Sequence, residues 1–173
     1  SDIDNGSSDN CPGESLGLDQ TAFDCTMVGA NTVILTVTDA SSNTDTCSAT
    51  VTVLDTISPT ALCQDVTIQL DASGNASITT ADIDNGSSDN CSFTLSLDQT
   101  AFDCSDVGAS NTVTLTVTDA SGNVSTCEAT VTVEDNIAPT ALCTDVTIQL
   151  DASGNASITT ADIDNGSSDN CSF

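Results

Sequence analysis

The sequence predicts an all-β protein built from tandem repeats of about 80 residues. The phrase DIDNGSSDNC stands at residues 2–11, 82–91 and 162–171, and a fixed period of this length is typical of a repeat array. Valine, isoleucine and leucine alternate with threonine and other polar residues in several short segments, which is the pattern of half-buried strands. No segment shows a helical period.

The alternation places the strands of one repeat. The clearest are DVTIQLD at 65–71, NTVTLTVTD at 111–119 and CEATVTVE at 127–134. Two DASGN turns follow strands, and Gly74 and Gly122 supply the positive φ that tight turns need. The apolar residues of the middle strands are Phe93, Leu95, Leu97 and Phe102. About seven short strands per repeat predict an immunoglobulin-like β-sandwich, in which the first and last strands run parallel.

The repeat boundaries follow from two linker-like phrases, DTISP and DNIAP, which come directly after strand patterns. We take residues 55–134 as one complete repeat, 1–54 as the C-terminal part of the preceding repeat, and 135–173 as the N-terminal part of the next. We expect a longer, continuous chain to complete the two partial repeats. The alternative is strand donation between subunits, in which 135–173 of one subunit completes 1–54 of its neighbour and Cys143 is bridged to Cys47.

The composition excludes several classes of function. Twenty-six acidic residues and no lysine, arginine or histidine give a formal net charge of −26, which repels nucleic acids and anionic membrane surfaces. No apolar run is long enough to cross a bilayer. A chain without histidine or lysine lacks the usual general bases, and a small repeated sandwich offers no cleft, so we expect no enzyme.

Nine cysteines indicate a disulfide framework and therefore an oxidising, extracellular location. They recur at matching offsets: Cys11, Cys25, Cys47 and Cys63, then Cys91, Cys104, Cys127 and Cys143, then Cys171. Zinc is the weaker interpretation, because the chain has no CxxC pair and no histidine.

Strand order predicts the pairing. Cys63 starts the first strand and Cys127 the last, and these strands are neighbours in the sandwich, which favours Cys63–Cys127. The rival, Cys127–Cys143, spans 16 residues that extend to about 50 Å, whereas a disulfide needs Cα atoms within about 7 Å. Cys91 and Cys104 then remain and are expected to pair locally, and Cys11–Cys25 repeats that pair.

The acidic phrase predicts a calcium site. In the sandwich it lies in a loop at the N-terminal end of the repeat, beside the second DASGN turn and the linker. Five carboxylates are expected to converge there: Asp55, Asp82, Asp84, Asp89 and Asp119. Calcium takes 6–8 hard oxygen ligands. The alternative is that these residues only cap turns, and DIDNGS is not an EF-hand loop.

Three segments of the repeat resemble a known family. PTALCxDVT at 59–67, SSDNC at 87–91 and TVTDASGNVSTCEATVTVED at 116–135 are similar to the HYR module, an immunoglobulin-like extracellular repeat of giant Bacteroidota surface adhesins, including gliding adhesins. Gln64 and Thr144 depart from the pattern, since a proline commonly follows the first cysteine. DTI at 55–57 resembles the O-glycosylation signal of the same bacteria, which implies a sugar on Thr56.

These features together predict a mechanical function. We expect a structural repeat region of a long extracellular adhesin or surface filament: a disulfide-locked acidic stalk that extends an adhesive or motile activity from the cell. Its partners would be neighbouring repeats and, through other regions, an external surface. The alternative is that the modules themselves bind glycans or surface ligands, although the chain has neither tryptophan nor tyrosine to stack on sugars.

Overall fold

The fold is all-β, as the alternation predicts. A computed structural model describes residues 3–10 and 12–172, and this part of the chain contains nine strands in three sheets. The strands are β1 (Ser15–Leu18), β2 (Gly29–Thr38), β3 (Thr44–Val53), β4 (Val66–Gln69), β5 (Asn75–Ser77), β6 (Phe93–Leu97), β7 (Ala101–Asp103), β8 (Asn111–Asp119) and β9 (Val124–Glu134). The helices are single turns, α1 (Thr80–Ile83) and α2 (Thr160–Ile163), with 3₁₀ turns at Cys25–Met27 and Cys104–Asp106.

The chain divides into two compact units. The first comprises the residues up to Pro59 together with Asp89–Thr94 and Thr118–Val124. Its antiparallel sheet has the order β1-β2-β3, and the β2–β3 pairing sets Leu35 opposite Cys47. Val33 and Leu35 of β2 are buried apolar residues of this unit. Threonine and serine occupy most of the intervening positions, which explains the half-exposed character of the sheet.

The second unit comprises Thr60–Ser88, Leu95–Val117 and the residues from Ser125 onward. It holds most of a sheet with the order β4-β9-β8-β6 and a two-stranded sheet of β5 and β7. β4 runs parallel to β9, with Val66 opposite Val131. The parallel first and last strands predicted from the sequence are therefore confirmed.

Period-two alternation builds the core of the second unit. Alternate residues of β8 and β9 are buried, because successive side chains of a strand point to opposite faces. The buried apolar residues of this unit are Leu70, Ile78, Ile83, Phe102, Val113, Leu115, Val117, Ala129, Val131 and Val133. The residues between 55 and 134 form six strands, one fewer than the approximate number predicted.

The one-turn helix α1 is one of the short helical elements that the sequence did not predict. Thr79 caps it, and the Asp82 carboxylate accepts hydrogen bonds from the Thr79 N–H and hydroxyl, both at 2.7 Å. This reciprocal capping lets a single turn form and bury Ile83 completely. α2 repeats the arrangement with Thr159 and Asp162. A single turn is too short to show a helical period, so the pattern analysis missed it.

The described residues include no helix that is both long and apolar enough to cross a membrane.

We expect Leu115→Ala to lower the free energy of unfolding by about 2–5 kcal/mol, because it leaves a cavity at a fully buried position. Leu54→Ala is the matched control, since Leu54 is 73% exposed and its truncation should change stability by less than about 0.5 kcal/mol. Urea unfolding with the disulfides intact measures both. Equal losses for the two variants would contradict the assignment of this core.

Candidate functional site

Three aspartates from distant parts of the sequence meet in the first unit. Asp55, Asp89 and Asp119 each offer a carboxylate oxygen, and these oxygens all lie within 4.8 Å of one another. Asp55 follows β3, Asp89 belongs to the repeated acidic phrase and Asp119 ends β8. Within the described ranges no other group of three acidic, cysteine or histidine side chains is arranged to hold a metal. We call these three residues the carboxylate cluster.

Asp119 is fixed by the β8–β9 turn. Its Oδ1 accepts hydrogen bonds from the N–H groups of Ser121 (2.9 Å) and Asn123 (2.7 Å), and its Oδ2 accepts one from Asn123 Nδ2 at 2.7 Å. Burial, which leaves this residue 6% exposed, opposes ionisation, but the hydrogen bonds from Asn123 and Ser121 outweigh it and lower the pKa of Asp119. The cluster therefore contains a buried, ionised carboxylate.

Asp55 and Asp89 each have one oxygen satisfied and one unsatisfied. Asp55 Oδ1 accepts hydrogen bonds from the Ile57 N–H (3.2 Å) and from Asn90 Nδ2 (3.3 Å), and Asp89 Oδ2 accepts one from the Cys91 N–H (3.0 Å). Asp55 Oδ2 and Asp89 Oδ1 are buried and accept no hydrogen bond. A buried carboxylate oxygen without a partner is costly, and this chain has no basic side chain to supply one.

The donor set fits calcium. Carboxylate oxygens are the hard ligands that calcium prefers, and three carboxylates leave room for the carbonyl or water ligands that complete a shell of 6–8. Asn123 holds the parts of the cluster together, because its Nδ2 also lies 3.2 Å from the Asp55 carbonyl oxygen. The two unsatisfied oxygens are the feature that a bound cation would explain.

Two of the five predicted ligands, Asp82 and Asp84, are not part of the cluster. Asp82 caps α1, and Asp84 Oδ1 accepts a hydrogen bond from the Ser87 N–H at 3.0 Å. Hydrogen bonds from Thr79 to Asp82 and from Ser87 to Asp84 lower the pKa of each carboxylate. The prediction was wrong for these residues because donors three positions away in the sequence satisfy them locally. For them the turn-capping alternative is correct.

Two of the three cluster residues have counterparts one period later, Asp135 and Asp169. Asn170 Nδ2 donates to Asp135 Oδ1 at 3.0 Å, as Asn90 donates to Asp55, and Asp169 Oδ1 is again buried without a partner. This hydrogen bond and this unsatisfied oxygen therefore occur in both copies of the sequence.

Three disulfides are present among the described residues. Cys63–Cys127 links the residue three positions before β4 to β9, the pairing that strand order predicts, with Cα atoms 5.8 Å apart. The other two are Cys25–Cys91 and Cys104–Cys171, each with Cα atoms 5.6 Å apart. With the repeat boundaries predicted from the sequence, each of these two bridges joins the repeat 55–134 to the partial repeat before or after it, and we call them the inter-repeat bridges.

The predicted local pairs Cys11–Cys25 and Cys91–Cys104 are therefore wrong; Cys11 itself lies outside the described residues. The prediction was right that a cysteine of the acidic phrase pairs with a cysteine of the Cys25 or Cys104 type. It was wrong about which one, because Cys91 pairs with Cys25 and Cys171 pairs with Cys104. Spacing alone does not separate these choices, since the two types of cysteine recur after nearly the same number of residues, 80 for Cys11 and Cys91 and 79 for Cys25 and Cys104. The three-dimensional path of the backbone, which no pattern in the sequence reveals, brings Cys25 to Cys91 and Cys104 to Cys171.

Both inter-repeat bridges have the same surroundings. Each starts on a 3₁₀ turn capped by the preceding aspartate: Asp24 accepts from the Thr26 N–H at 2.9 Å, and Asp103 accepts from the Ser105 N–H at 2.8 Å. The Cys25 sulfur lies 3.4 Å from the Asn90 carbonyl oxygen, and the Cys104 sulfur lies 3.5 Å from that of Asn170. The bridge is thus a repeated structural device.

Gly74 makes room for the second of these bridges. It has a φ of +75°, and a Cβ on it would lie 2.7 Å from both the Asn170 carbonyl oxygen and the Cys104 sulfur. The sequence analysis explained Gly74 only by the positive φ of the turn. Its packing against the bridge is a second reason why only glycine fits this position.

Two cysteines and the predicted glycosylation site are exposed. Cys47 and Cys143 carry free thiols. Thr56, the predicted glycosylation site, is exposed and lines a groove of about 330 Å³ beside the Cys25–Cys91 bridge, together with Phe23 and Asp55. Its glycosylation stays a prediction.

No protein-family model matches the sequence, and no curated protein is similar to it.

The pairing is testable by digestion without reduction. Trypsin has no site in this chain, so we expect Asp-N protease to release fragment 24–38 linked to 89–97, and 103–105 linked to 169–173. Mass spectrometry with and without reduction identifies the linked fragments. Fragment 24–38 linked to 9–18 would restore the local pairing and contradict the inter-repeat bridges.

We expect Gly74→Ala to impair formation of the Cys104–Cys171 bridge, because the added methyl group collides with that sulfur and with the Asn170 backbone. Gly122→Ala is the matched control: it occupies the same DASGN turn at a φ of +90° with no atom within 4 Å of its Cβ. Both substitutions place an alanine at a positive φ, which destabilises the fold by about 1–2 kcal/mol. A glutathione redox titration followed by peptide mapping should show less bridge in Gly74→Ala alone; equal occupancy in both variants would exclude the steric role.

Proposed function

We propose that this chain is a structural repeat region of a long extracellular adhesin or surface filament, and that it acts as a stalk that resists extension. The repeats are immunoglobulin-like modules of the HYR kind, with 55–134 as one complete module. The resemblance to HYR repeats, the all-β fold and the parallel pairing of β4 with β9 support this proposal. Three disulfides are consistent with an oxidising, extracellular environment.

The observation that carries the proposal is the covalent path through the inter-repeat bridges. A tensile force that enters at Cys25 crosses to Cys91, follows the backbone to Cys104, and crosses again to Cys171. Between the two bridges, tension is therefore carried only by the backbone from Cys91 to Cys104. The 13 peptide units of this segment span at most about 45 Å when fully extended. The segments Cys25–Cys91 and Cys104–Cys171 are covalent loops closed by the bridges, so their backbone carries no tension when the chain is stretched.

This arrangement suits a stalk better than a ligand-binding module. When a module without such bridges unfolds under load, the chain lengthens by the full extended length of that module. Here the bridges limit the distance from Cys25 to Cys171, so this distance changes little when the module unfolds. The net charge of −26 adds self-repulsion that favours an extended array. Cys63–Cys127 is outside the load path and closes the module itself.

Glycan or surface binding by the modules is the second candidate. The groove beside the Cys25–Cys91 bridge supports it, because this groove of about 330 Å³ contains the apolar residues Phe23, Val28 and Ile57. The chain has no tryptophan or tyrosine, the residues that most often stack on sugars and anchor interfaces. We therefore favour the stalk.

Force spectroscopy tests the stalk. With the chain held by tags at its two termini, we expect the segment from Cys25 to Cys171 to stretch to about 55 Å when oxidised and to about 500 Å when reduced. The variant Cys104→Ser with Cys171→Ser should lengthen the oxidised chain by about 200 Å, because the load then runs through the backbone beyond Cys91.

The control is Cys63→Ser with Cys127→Ser, which removes a bridge outside the load path. Its fully stretched length should equal that of the wild-type chain, although its modules unfold at lower force. An oxidised wild-type chain that extends as far as the reduced chain would overturn the proposal.

We propose in addition that the carboxylate cluster binds calcium and stabilises the stalk. The support is the pair of buried, unsatisfied oxygens on Asp55 and Asp89 beside the ionised Asp119. Asp89 and Asn90 directly precede Cys91, so a cation at the cluster would also order the backbone that leads into the inter-repeat bridge. Calcium supplies positive charge that no side chain of this protein provides.

We expect millimolar calcium to raise the melting temperature of the chain. A cation that binds only the folded state adds about 2.7 kcal/mol at a hundred times its dissociation constant, and extracellular calcium sites often have constants of about 10⁻⁴–10⁻³ M. Asp55→Asn with Asp89→Asn should abolish this increment. Without calcium the same variant should be at least as stable as the wild type, because it removes like charges that lie close together.

Asp82→Asn with Asp84→Asn is the matched control, because it removes the same charge from carboxylates outside the cluster. This variant should lose stability from its weakened turns but keep the full calcium increment in calorimetry. Sodium at equal ionic strength controls for charge screening. If calcium stabilises both double variants equally, the effect is screening and the cluster is not a binding site.

A further inference from the structure

Cys63–Cys127 joins the two covalent loops that carry no tension in the oxidised chain. The first loop is Cys25–Cys91 and the second is Cys104–Cys171, each closed by an inter-repeat bridge. Cys63 lies within the first loop and Cys127 within the second, so their disulfide connects one loop to the other. We call it the module bridge, because both of its cysteines belong to the complete repeat.

The fold holds the two cysteines of the module bridge together by contacts of its own. Cys127 lies inside β9, and the backbone of Cys63 is held by a β-bridge. Two residues after Cys63, the Asp65 carboxylate accepts a hydrogen bond from the Thr130 N–H of β9 at 2.7 Å. None of these residues lies in the segment from Cys91 to Cys104, which carries the tension between the inter-repeat bridges. The module bridge therefore needs neither inter-repeat bridge to keep its cysteines close.

Tension distinguishes the three disulfides chemically. In thiol–disulfide exchange a thiolate attacks one sulfur and forms a new S–S bond, while the other sulfur leaves as a thiolate. The old S–S bond lengthens along its axis during this step, so a force along that bond lowers the barrier. In the oxidised chain this force acts on the inter-repeat bridges and not on the module bridge. Under load, a low-molecular-weight thiol is therefore expected to open an inter-repeat bridge first.

An opened inter-repeat bridge brings the module bridge into the path of tension. With both inter-repeat bridges open, the shortest covalent path from Cys25 to Cys171 has 38 peptide units to Cys63, the module bridge, and 44 peptide units from Cys127. This path extends to about 285 Å. Without the module bridge, Cys25 and Cys171 are 146 peptide units apart, which extend to about 500 Å.

The module bridge also shortens the path when only one inter-repeat bridge opens. Opening of Cys25–Cys91 leaves a path through the module bridge that extends to about 220 Å, and opening of Cys104–Cys171 leaves one of about 255 Å. Without the module bridge, the chain would extend to about 275 Å in either case. Tension therefore passes to the module bridge whichever inter-repeat bridge opens first.

We propose that Cys63–Cys127 is a reserve link of the stalk, which carries tension only after a thiol has opened an inter-repeat bridge. This inference rests on the stalk proposed above, and in the oxidised chain the module bridge acts on stability alone. The opening thiol forms a mixed disulfide with one cysteine, and the other cysteine becomes a thiolate. When the force is released, this thiolate attacks the mixed disulfide, expels the small thiol and restores the bridge. The reserve link limits how far the two cysteines separate in the meantime.

The first test opens the bridges of the oxidised chain with glutathione at a constant force high enough to unfold the module. The chain is held by tags at its two termini. Every chain carries three serine substitutions that prevent exchange with other thiols: Cys11→Ser, Cys47→Ser and Cys143→Ser. We expect a first lengthening of about 165 Å or about 200 Å, according to which inter-repeat bridge opens. The matched control adds Cys63→Ser with Cys127→Ser, and its first lengthening should be about 220 Å.

The first lengthening separates the reserve link from the stalk itself. A first lengthening of about 220 Å in the chain with three bridges would mean that the module bridge had opened before it was loaded. That result would overturn the reserve link and leave the stalk standing. If the chain with three bridges reaches the length of the reduced chain before glutathione is added, the stalk is wrong.

The second test asks whether the module bridge forms without the others. Both inter-repeat bridges are removed by four substitutions: Cys25→Ser, Cys91→Ser, Cys104→Ser and Cys171→Ser. Digestion by Asp-N protease without reduction should then release fragment 55–64 linked to 119–134. When fully stretched, this chain should be about 215 Å shorter than the same chain after reduction. If the linked fragment and the difference in length are both absent, the module bridge depends on the inter-repeat bridges and cannot act as their reserve.

Discussion

The constraint on which this structure depends is that 26 acidic side chains are accommodated without one basic residue. Most of the described aspartates at turns accept hydrogen bonds from backbone N–H groups, which stabilise the negative charge in place of a basic side chain. Asp24, Asp82 and Asp103 do so at the starts of their helical turns. Such hydrogen bonds stabilise the ionised form and define the turn at the same time. Asp55 and Asp89 are different, because each keeps a buried oxygen that no N–H reaches. At the candidate cation site, therefore, nearby backbone N–H groups do not satisfy every buried carboxylate oxygen.

The repeated acidic phrase brings three tasks together in consecutive residues. Asp89 enters the carboxylate cluster, Asn90 donates a hydrogen bond to Asp55, and Cys91 forms an inter-repeat bridge. A change in any of these residues disturbs the other two, since they share one short stretch of backbone. This coupling gives a physical reason for the phrase to be written identically in each copy, including its glycine and serine residues, which shape the turn after Asp84.

The two kinds of disulfide contribute in different ways. Cys63–Cys127 links the ends of two adjacent parallel strands and restricts the unfolded chain, which is the usual stabilising effect of a bridge in a small domain. The inter-repeat bridges shorten the covalent path along the chain to the 13 peptide units from Cys91 to Cys104. In the proposed stalk, stability and inextensibility are therefore separate properties that depend on separate cysteines. Calcium would act on the first property and leave the second unchanged.

The sequence by itself determined the all-β class, strands β4, β8 and β9, the parallel β4–β9 pairing and the Cys63–Cys127 bridge, because alternation and turn residues are local signals with a short physical range. It also indicated Asp55, Asp89 and Asp119. Only the tertiary structure removed Asp82 and Asp84 from the site, since hydrogen bonds three residues away compete with any distant ligand. It also decided which copy supplies each cysteine. A strict repeat makes partners one period apart identical in sequence, and only the path of the backbone in space distinguishes them.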